Sequence, residues 1–189
     1  MDNVAVNAVQ QAVEASGSGH ADWANLTVAA SERVLTVQTP SSSIANVAVH
    51  LNSDDGRGID VLGGEHVWSN ITAEKAFVSS DRTSIGLNAW YSHITVDQMT
   101  LRNFSTGALL EDSAVMAQSV EANVGSLVGI HLIDASLVGS DLTTVVQEEG
   151  VLMEGTSTLH LSAWTAQLHN TPLMLSTEST ATVLSLIHI

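Results

Sequence analysis

The chain of 189 residues is long enough to bury a sizeable core, and it is 44% hydrophobic but only 4% aromatic. Its 20 acidic and 5 basic residues give a formal charge of −15, which disfavours nucleic acid and anionic lipid as partners. The sequence contains no cysteine, which excludes disulfides and thiolate metal sites, and no apolar stretch long enough to span a membrane as a helix.

The first predicted elements are short strands that share a four-residue pattern of small polar, apolar, mostly polar, and apolar or small residues. The tetrads are separated by 22, 21, 24, 23, 26, 22 and 21 residues, and they begin at Asn3, Asn25, Asn46, Asn70, His93, Ser119, Asp141 and Ser162. A second column of strands precedes the tetrads from residue 58 onward, with one apolar file of Ile59, Ile85, Ala108, Ile130 and Val151 and another of Val61, Leu87, Leu110, Leu132 and Met153. Two columns with one period predict a repeat architecture.

A period near 22 residues with strand-like alternation predicts a solenoid in which each turn stacks its inward side chains on the next. The tetrad "N-I-x-x" after a turn, followed downstream by "G-I-x-L", resembles the right-handed parallel β-helix repeat of pectate-lyase-like proteins. The resemblance covers residues 1–183 and implies an all-β, right-handed, single-stranded parallel β-helix (solenoid) of about eight coils. Stacked asparagines form hydrogen-bonded ladders in such coils, and we expect a ladder only in the first half, at Asn3, Asn25, Asn46 and Asn70.

The last six residues, "LSLIHI" at 184–189, resemble the translation of a transposase-adapter sequence used in library preparation. We therefore interpret residues 1–183 as a β-helix fragment that is incomplete at both ends, and residues 184–189 as a non-native tail. The alternative is a genuine terminal strand.

The densest polar segment is "NSDDGRGID" at 52–60. Carboxylates beside an arginine can supply a general acid, a base and a clamp for a substrate carboxylate, as polysaccharide hydrolases and lyases require. The candidate catalytic residues are therefore Asp54, Asp55, Arg57, Asp60 and, further along the chain, Arg82. The alternative is a solvated turn that contains glycine.

Two further groups of residues are candidates for ligand contacts. Trp23, Trp68 and Tyr91, with Trp90 adjoining, form an aromatic file before the tetrads that could hold sugar rings, although an interior stack explains it equally well. Asp112 and Asp134 occupy one register in adjacent coils and could bind Ca²⁺, or they could simply point into water. No cofactor is otherwise required.

The expected function is a structural or adhesive β-helix segment of an exported or cell-surface protein that contacts a polysaccharide or cell-surface glycan. The acidic surface, the near-uniform coils and the lack of a complete catalytic set favour this expectation. The alternative is a polysaccharide-active enzyme, either a lyase, a glycoside hydrolase or an epimerase, because such enzymes occur on this fold.

Overall fold

The computed structural model describes residues 4–7, 10–77, 83–124, 127–146, 148–168 and 170–189. In this part of the chain, 16 strands pair with one another and no helix occurs. The strands are β1 (Val4–Asn7), β2 (Gln11–Ser16), β3 (His20–Ala30), β4 (Arg33–Gln38), β5 (Ser41–Leu51), β6 (Gly56–Lys75), β7 (Ser84–Arg102), β8 (Thr106–Glu111), β9 (Ala114–Asn123), β10 (Val128–Ile133), β11 (Ser136–Val146), β12 (Glu149–Glu154), β13 (Thr158–Leu168), β14 (Thr171–Leu175), β15 (Thr180–Val183) and β16 (Leu186–His188).

The strands pair in parallel and form three rows, which we name by face. Face 1 consists of β1, the C-terminal parts of β3, β5, β6, β7, β9, β11 and β13, and β16. Face 2 consists of β2, β4, the N-terminal parts of β6 and β7, β8, β10, β12 and β14. Face 3 consists of the N-terminal parts of β3, β5, β9, β11 and β13, the middle parts of β6 and β7, and β15.

The chain passes through faces 2, 3 and 1 in turn and then begins the next coil. The result is a parallel β-solenoid of about 8 turns with about 22 residues in each, which confirms the predicted architecture. Long strands such as β6 and β7 bend through all three faces, and left-handed backbone occurs at three of their corners, at Gly63 and Gly64, at Asn70 and at Tyr91. No helix in the described residues is long and apolar enough to cross a bilayer.

The core is a set of apolar files that run along the solenoid axis. On face 2, Leu87 pairs with Ile59 and Ala89 pairs with Val61, and these side chains are buried. The predicted file was therefore wrong by two residues at Ile85, which pairs with Arg57 instead. The error arose because a strand with period-two alternation fits equally well after a shift of two residues.

Two of the predicted tetrads were also misplaced. His93 lies on face 3, where it pairs with Glu65 and Ala114, so it does not belong to the asparagine column. On face 1 Ile71 pairs with Met99, 28 positions later, and the last complete tetrad begins at Ala163 rather than Ser162. One coil is thus longer than the sequence pattern indicated.

The asparagine ladder forms in the first half, as predicted. Asn25, Asn46 and Asn70 have φ angles of 54°, 53° and 52°, and they turn the chain from face 3 to face 1. The Nδ2 of Asn46 donates to Oδ1 of Asn25 at 3.1 Å, and that of Asn70 donates to Oδ1 of Asn46 at 2.9 Å. The predicted first member, Asn3, lies outside the described residues.

The final residues continue the same pairing pattern. Strand β15 pairs with the start of β13, and β16 pairs Leu186 with Trp164 and Ile187 with Thr165. The coil spacing of the solenoid therefore extends through residues 180–188.

Candidate functional site

Two arginines lie side by side on face 2. Arg33 of β4 and Arg57 of β6 are paired in adjacent coils, where strands are about 4.8 Å apart. Two of the 5 basic residues of the chain are therefore concentrated at one place on a strongly acidic protein. Like charges at this spacing repel each other unless an anion lies between or beside them.

Asp60 supplies such an anion to Arg57. Its carboxylate accepts from Nη1 of Arg57 at 3.0 and 3.2 Å, and both side chains are partly buried. Among the residues that the structure describes, Arg33 has no carboxylate within ion-pair distance. Asp60 therefore compensates Arg57 and leaves the charge of Arg33 available to a ligand.

A row of polar side chains crosses the strands of face 2 three residues after the arginines. Thr36, Asp60 and Asn88 are successive partners in three coils, and Nδ2 of Asn88 donates to Oδ1 of Asp60 at 2.6 Å. Thr36 and Asn88 are only 2% and 1% exposed. Thr36 Oγ1 and Asn88 Oδ1 have no hydrogen-bond partner in the structure. Buried polar atoms without hydrogen-bond partners are uncommon in proteins.

An aromatic residue borders the same place. The guanidinium carbon of Arg57 lies 5.7 Å from the ring centroid of Trp90, which is within the range of a cation–π interaction. Leu62 and Trp90 are partners in adjacent coils, and both are exposed. Together these residues border a cavity of about 240 Å³, which we call the arginine pocket; it is lined by Arg33, Gln38, Arg57, Asp60, Val61, Leu62 and Trp90.

The pocket combines residues that sequence analysis had assigned to different roles. Arg57 and Asp60 were candidate catalytic residues and Trp90 was a candidate ligand contact, and the structure brings all three together. Asp60 is the only carboxylate that lines the pocket in the described part of the chain. A retaining or inverting glycosidase needs a second carboxylate opposite the first, and the pocket does not provide one.

The other candidate catalytic residues lie elsewhere or cannot be described. Asp54 and Asp55 are exposed in the turn before β6, where Lys75 donates to the backbone oxygen of Asp54 at 2.9 Å and lies 3.7 Å from its carboxylate. Neither carboxylate lines the arginine pocket. Arg82 lies outside the described residues.

The predicted aromatic file does not form on the surface. Trp23 and Trp68 are separated in one inward file by Ile44, and Trp68 is only 2% exposed, so its ring presents no face to a sugar. Tyr91 is exposed at a corner with φ 52° and is not part of that file. Of the four aromatic candidates, only Trp90 lines the arginine pocket.

Asp112 and Asp134 do share a register in adjacent coils, as predicted, with φ angles of 48° and 49° at the corner between faces 2 and 3. Oδ1 of Asp134 accepts from the backbone N–H and the hydroxyl of Thr156 at 2.9 and 3.0 Å, and these bonds lower the pKa of Asp134. The described residues contain no group of three or more His, Cys, Asp or Glu suited to a metal ion. Calcium binding at this corner stays a prediction.

A second polar network is buried beneath face 3. The indole N–H of Trp68 donates to Oγ of Ser42 at 2.9 Å, and that hydroxyl lies 2.9 Å from Nδ1 of His66, whose Nε2 lies 2.7 Å from the Gly63 oxygen. Because a carbonyl only accepts, Nε2 carries the proton, and a neutral ring then accepts from Ser42 at Nδ1. Burial lowers the pKa of His66 and favours this neutral form. A serine beside a histidine is a nucleophile and base pair in enzymes, but both are buried here, and neither lines the cavities bordered by the described residues on faces 2 and 3.

The sequence pattern does not indicate a functional role for Arg33, Thr36 or Asn88. A signal for Arg33 was present, because its distance of 24 residues from Arg57 equals the step between Asn46 and Asn70. Thr36 and Asn88 carry no distinctive spacing, and they become notable only through their burial and register.

No protein-family model, curated protein or solved structure was found to match the chain. The arrangement of the pocket is therefore the basis for a functional assignment.

Proposed function

We propose that this chain is a rod-like segment of an exported or cell-surface protein that binds acidic glycans through the arginine pocket. The observation that carries the proposal is the pairing of Arg33 and Arg57 in adjacent coils beside the exposed ring of Trp90. The solenoid supplies a rigid support on which these side chains keep a fixed spacing.

The chemistry of the pocket suits a sugar that carries a carboxylate. A guanidinium group binds a carboxylate through two parallel hydrogen bonds, and Arg33 has no competing ion pair among the described residues. The indole of Trp90 offers a planar apolar surface on which the C–H face of a sugar ring can pack. Both features are adjacent in one cavity.

Two polar side chains of the pocket support the same ligand class. The side-chain oxygen of Gln38 can accept a hydrogen bond from a sugar hydroxyl group. The carboxylate of Asp60 can accept from a further hydroxyl. The pocket therefore offers cations for the acid group of a uronic acid and acceptors for its hydroxyls.

The resemblance to the right-handed, pectate-lyase-like β-helix repeat adds a second candidate, a polysaccharide-active enzyme. The specific observation in its favour is that Arg57 and Asp60, both predicted as catalytic, lie in one cavity with an aromatic wall. A lyase that removes a proton with a single base requires fewer carboxylates than a hydrolase does. We place it second because Asp60 is already engaged by Arg57 and Asn88.

Isothermal titration calorimetry with a short oligogalacturonate tests the binding function. The matched control ligand is the same oligosaccharide with its carboxylates reduced to alcohols. We expect the acidic ligand to bind and the reduced ligand to bind at least about 10-fold more weakly, because a charge-assisted hydrogen bond contributes about 1.5–3 kcal/mol.

Two arginine variants locate the site. Arg33→Gln should weaken binding of the oligogalacturonate by about 10- to 100-fold, since it removes the guanidinium that has no ion pair among the described residues. Arg102→Gln is the matched control, because Arg102 lies on face 1 beside Glu121. Equal effects of the two substitutions would show that binding depends on net charge alone and would contradict the proposal.

Turnover distinguishes the enzyme from the binding segment. A lyase acting on polygalacturonate would release products that absorb in the ultraviolet because elimination leaves a double bond, and a hydrolase would release reducing ends without that absorbance. We expect neither signal from the purified chain. Turnover that is lost in Asp60→Asn would instead favour the enzyme.

A further inference from the structure

The arginine pocket carries one net positive charge. The charged residues that line it are Arg33, Arg57 and Asp60, so two positive charges and one negative charge leave a single positive charge. Asp60 accepts two hydrogen bonds from Arg57, and the uncompensated charge therefore lies on Arg33. One acid group of a ligand is enough to balance the pocket.

Carboxylates border the pocket at both ends along the solenoid axis. In the coil before Arg33, the exposed Glu14 of β2 pairs with Thr36. In the coil after Trp90, Glu111 of β8 is the direct partner of Trp90. Because partners in adjacent coils point to the same side of a face, the Glu111 side chain leaves its strand on the same side as the indole, about 4.8 Å further along the axis.

More carboxylates lie at the corner between faces 1 and 2. Glu32 directly precedes Arg33, and Asp54 and Asp55 lie in the turn before β6. All three acidic residues are exposed. The positive charge of the pocket is thus bordered on three sides by negative charges, so its attraction for an anion is confined to the pocket itself.

The coils beyond the pocket are purely acidic. Every Lys and Arg of the chain lies at or before Arg102, so residues 103–189 contribute carboxylates and no basic side chain. A polyanion that extended from the pocket towards the C-terminal coils would therefore meet repulsion along its length.

We propose that the pocket selects glycans in which a single acidic sugar adjoins a neutral sugar, and that Glu111 determines this selectivity. This assignment rests on the proposed function, because it narrows the ligand of the same pocket. Arg33 binds the carboxylate of the acidic unit, and the neighbouring unit packs on Trp90 with its polar groups towards Glu111.

The glutamate distinguishes the two kinds of neighbouring unit by charge. An ionised carboxylate only accepts hydrogen bonds, so Glu111 can take the hydroxyl groups of a neutral sugar as donors. A second carboxylate on the ligand has no proton to donate and repels the like charge beside Trp90. A run of uronic acids should therefore bind less tightly than an isolated one.

Calorimetric titrations with digalacturonate and its methyl esters test this selectivity. The set contains the diacid, both monoesters that keep one free carboxylate, and the diester that keeps none. We expect one of the monoesters to bind the wild-type chain about 5-fold more tightly than the diacid, since one like-charge contact at a protein surface has an effect of about this size. The diester should bind most weakly.

Substitution of Glu111 tests its role. Glu111→Gln keeps a hydrogen-bond acceptor and removes the charge. It should raise the affinity for the diacid by about 5-fold and change the affinity for the better monoester by less than about 2-fold. A gain of affinity cannot result from partial unfolding, so the expected result does not depend on the stability of the variant.

Glu154→Gln is the matched control. Glu154 occupies the same column of face 2 as Glu111, two coils further on and about 14 Å from Trp90. This distance exceeds the screening length of about 8 Å at physiological salt, so Glu154→Gln should leave both affinities unchanged.

The outcomes separate this inference from the proposed function. A diacid that binds at least as tightly as both monoesters would overturn the selectivity, although binding of acidic glycans would stand. Equal affinities of the wild type and Glu111→Gln for the diacid, or equal gains in Glu111→Gln and Glu154→Gln, would overturn the role of Glu111. If neither the diacid nor a monoester binds, the proposed function fails and the selectivity fails with it.

Discussion

The backbone of Gly86 packs directly against that of Gly107 in the next coil, so that a Cβ atom on Gly86 would lie 2.6 Å from the Gly107 oxygen. The same Cβ would lie 2.9 Å from Phe104 Cδ2 and 3.2 Å from Leu101 Cδ2. This contact leaves no room for a side chain on Gly86.

Gly86→Ala should therefore destabilise the solenoid by about 1–3 kcal/mol, the usual cost of an overpacked core. Gly19→Ala is the control, because a Cβ on Gly19 meets no atom within 4 Å. Urea unfolding measures both variants. Equal urea midpoints for Gly86→Ala and Gly19→Ala would contradict this close packing.

Asn46 combines two roles that substitutions can separate. It bonds to Asn25 and Asn70 through its amide and holds φ at 53°. Asn46→Ala loses the amide hydrogen bonds and places a residue at positive φ that tolerates it poorly, so it should lower the free energy of unfolding by about 2 kcal/mol. Asn46→Gly also loses the amide but adopts this φ without strain, so it should recover about half of that free energy. Thermal unfolding compares the two variants, and an Ala variant as stable as the Gly variant would contradict the strained corner.

His66 should make the stability of the fold depend on pH. Burial lowers its pKa from 6.5 in the folded state, so below about pH 6.5 the unfolded chain binds the proton more readily. Stability should therefore fall as the pH decreases from 6.5 towards the folded pKa, and this contribution is fully present above 6.5.

The measurement is the melting temperature at about pH 8 and about pH 5, where an ordinary histidine is neutral and charged, respectively. The melting temperature of the wild-type chain should fall more on acidification than that of His66→Gln. His160→Gln, which changes an exposed histidine of face 3, should behave like the wild type. An equal fall in melting temperature in the wild type and in His66→Gln would contradict the buried network.

Asp134 should titrate below its ordinary pKa of 3.8, because the backbone N–H and hydroxyl of Thr156 both donate to its carboxylate. Carbon-detected NMR titration measures this directly. Thr156→Val removes the hydroxyl but keeps the backbone donor, so the pKa should rise and still remain below 3.8. Thr158→Val, in the same cavity, should leave the pKa of Asp134 unchanged.

The solenoid and its period were predictable because inward side chains repeat with every coil. The register was harder to predict in the coil that follows residue 76. There His93-Ile94-Thr95-Val96 resembles the face 1 tetrads, although it lies on face 3. Strands on different faces share the same alternation, so only the length of the intervening segment could separate them.

The candidate site was predictable in part. Arg57, Asp60 and Trp90 were recognised by residue type, but in unrelated roles, because their proximity depends on the register that was misjudged at Ile85. Asn88 could not be recognised, since its importance follows from its burial and from its bond to Asp60.

The stacking of coils brings Arg33 beside Arg57, and the proposed binding site depends on it. Because the chain has no cysteine, the double variant R33C/R57C contains a single pair that can form a disulfide. Paired strands hold their Cα atoms at about 4.8 Å, within the range of a disulfide, so mild oxidation should cross-link the two residues and mass spectrometry should detect the loss of two hydrogens. R33C/I85C places the cysteines two coils apart and should remain reduced in the monomer. Failure of R33C/R57C to cross-link in the folded chain, or equal cross-linking in R33C/I85C, would contradict the stacked register.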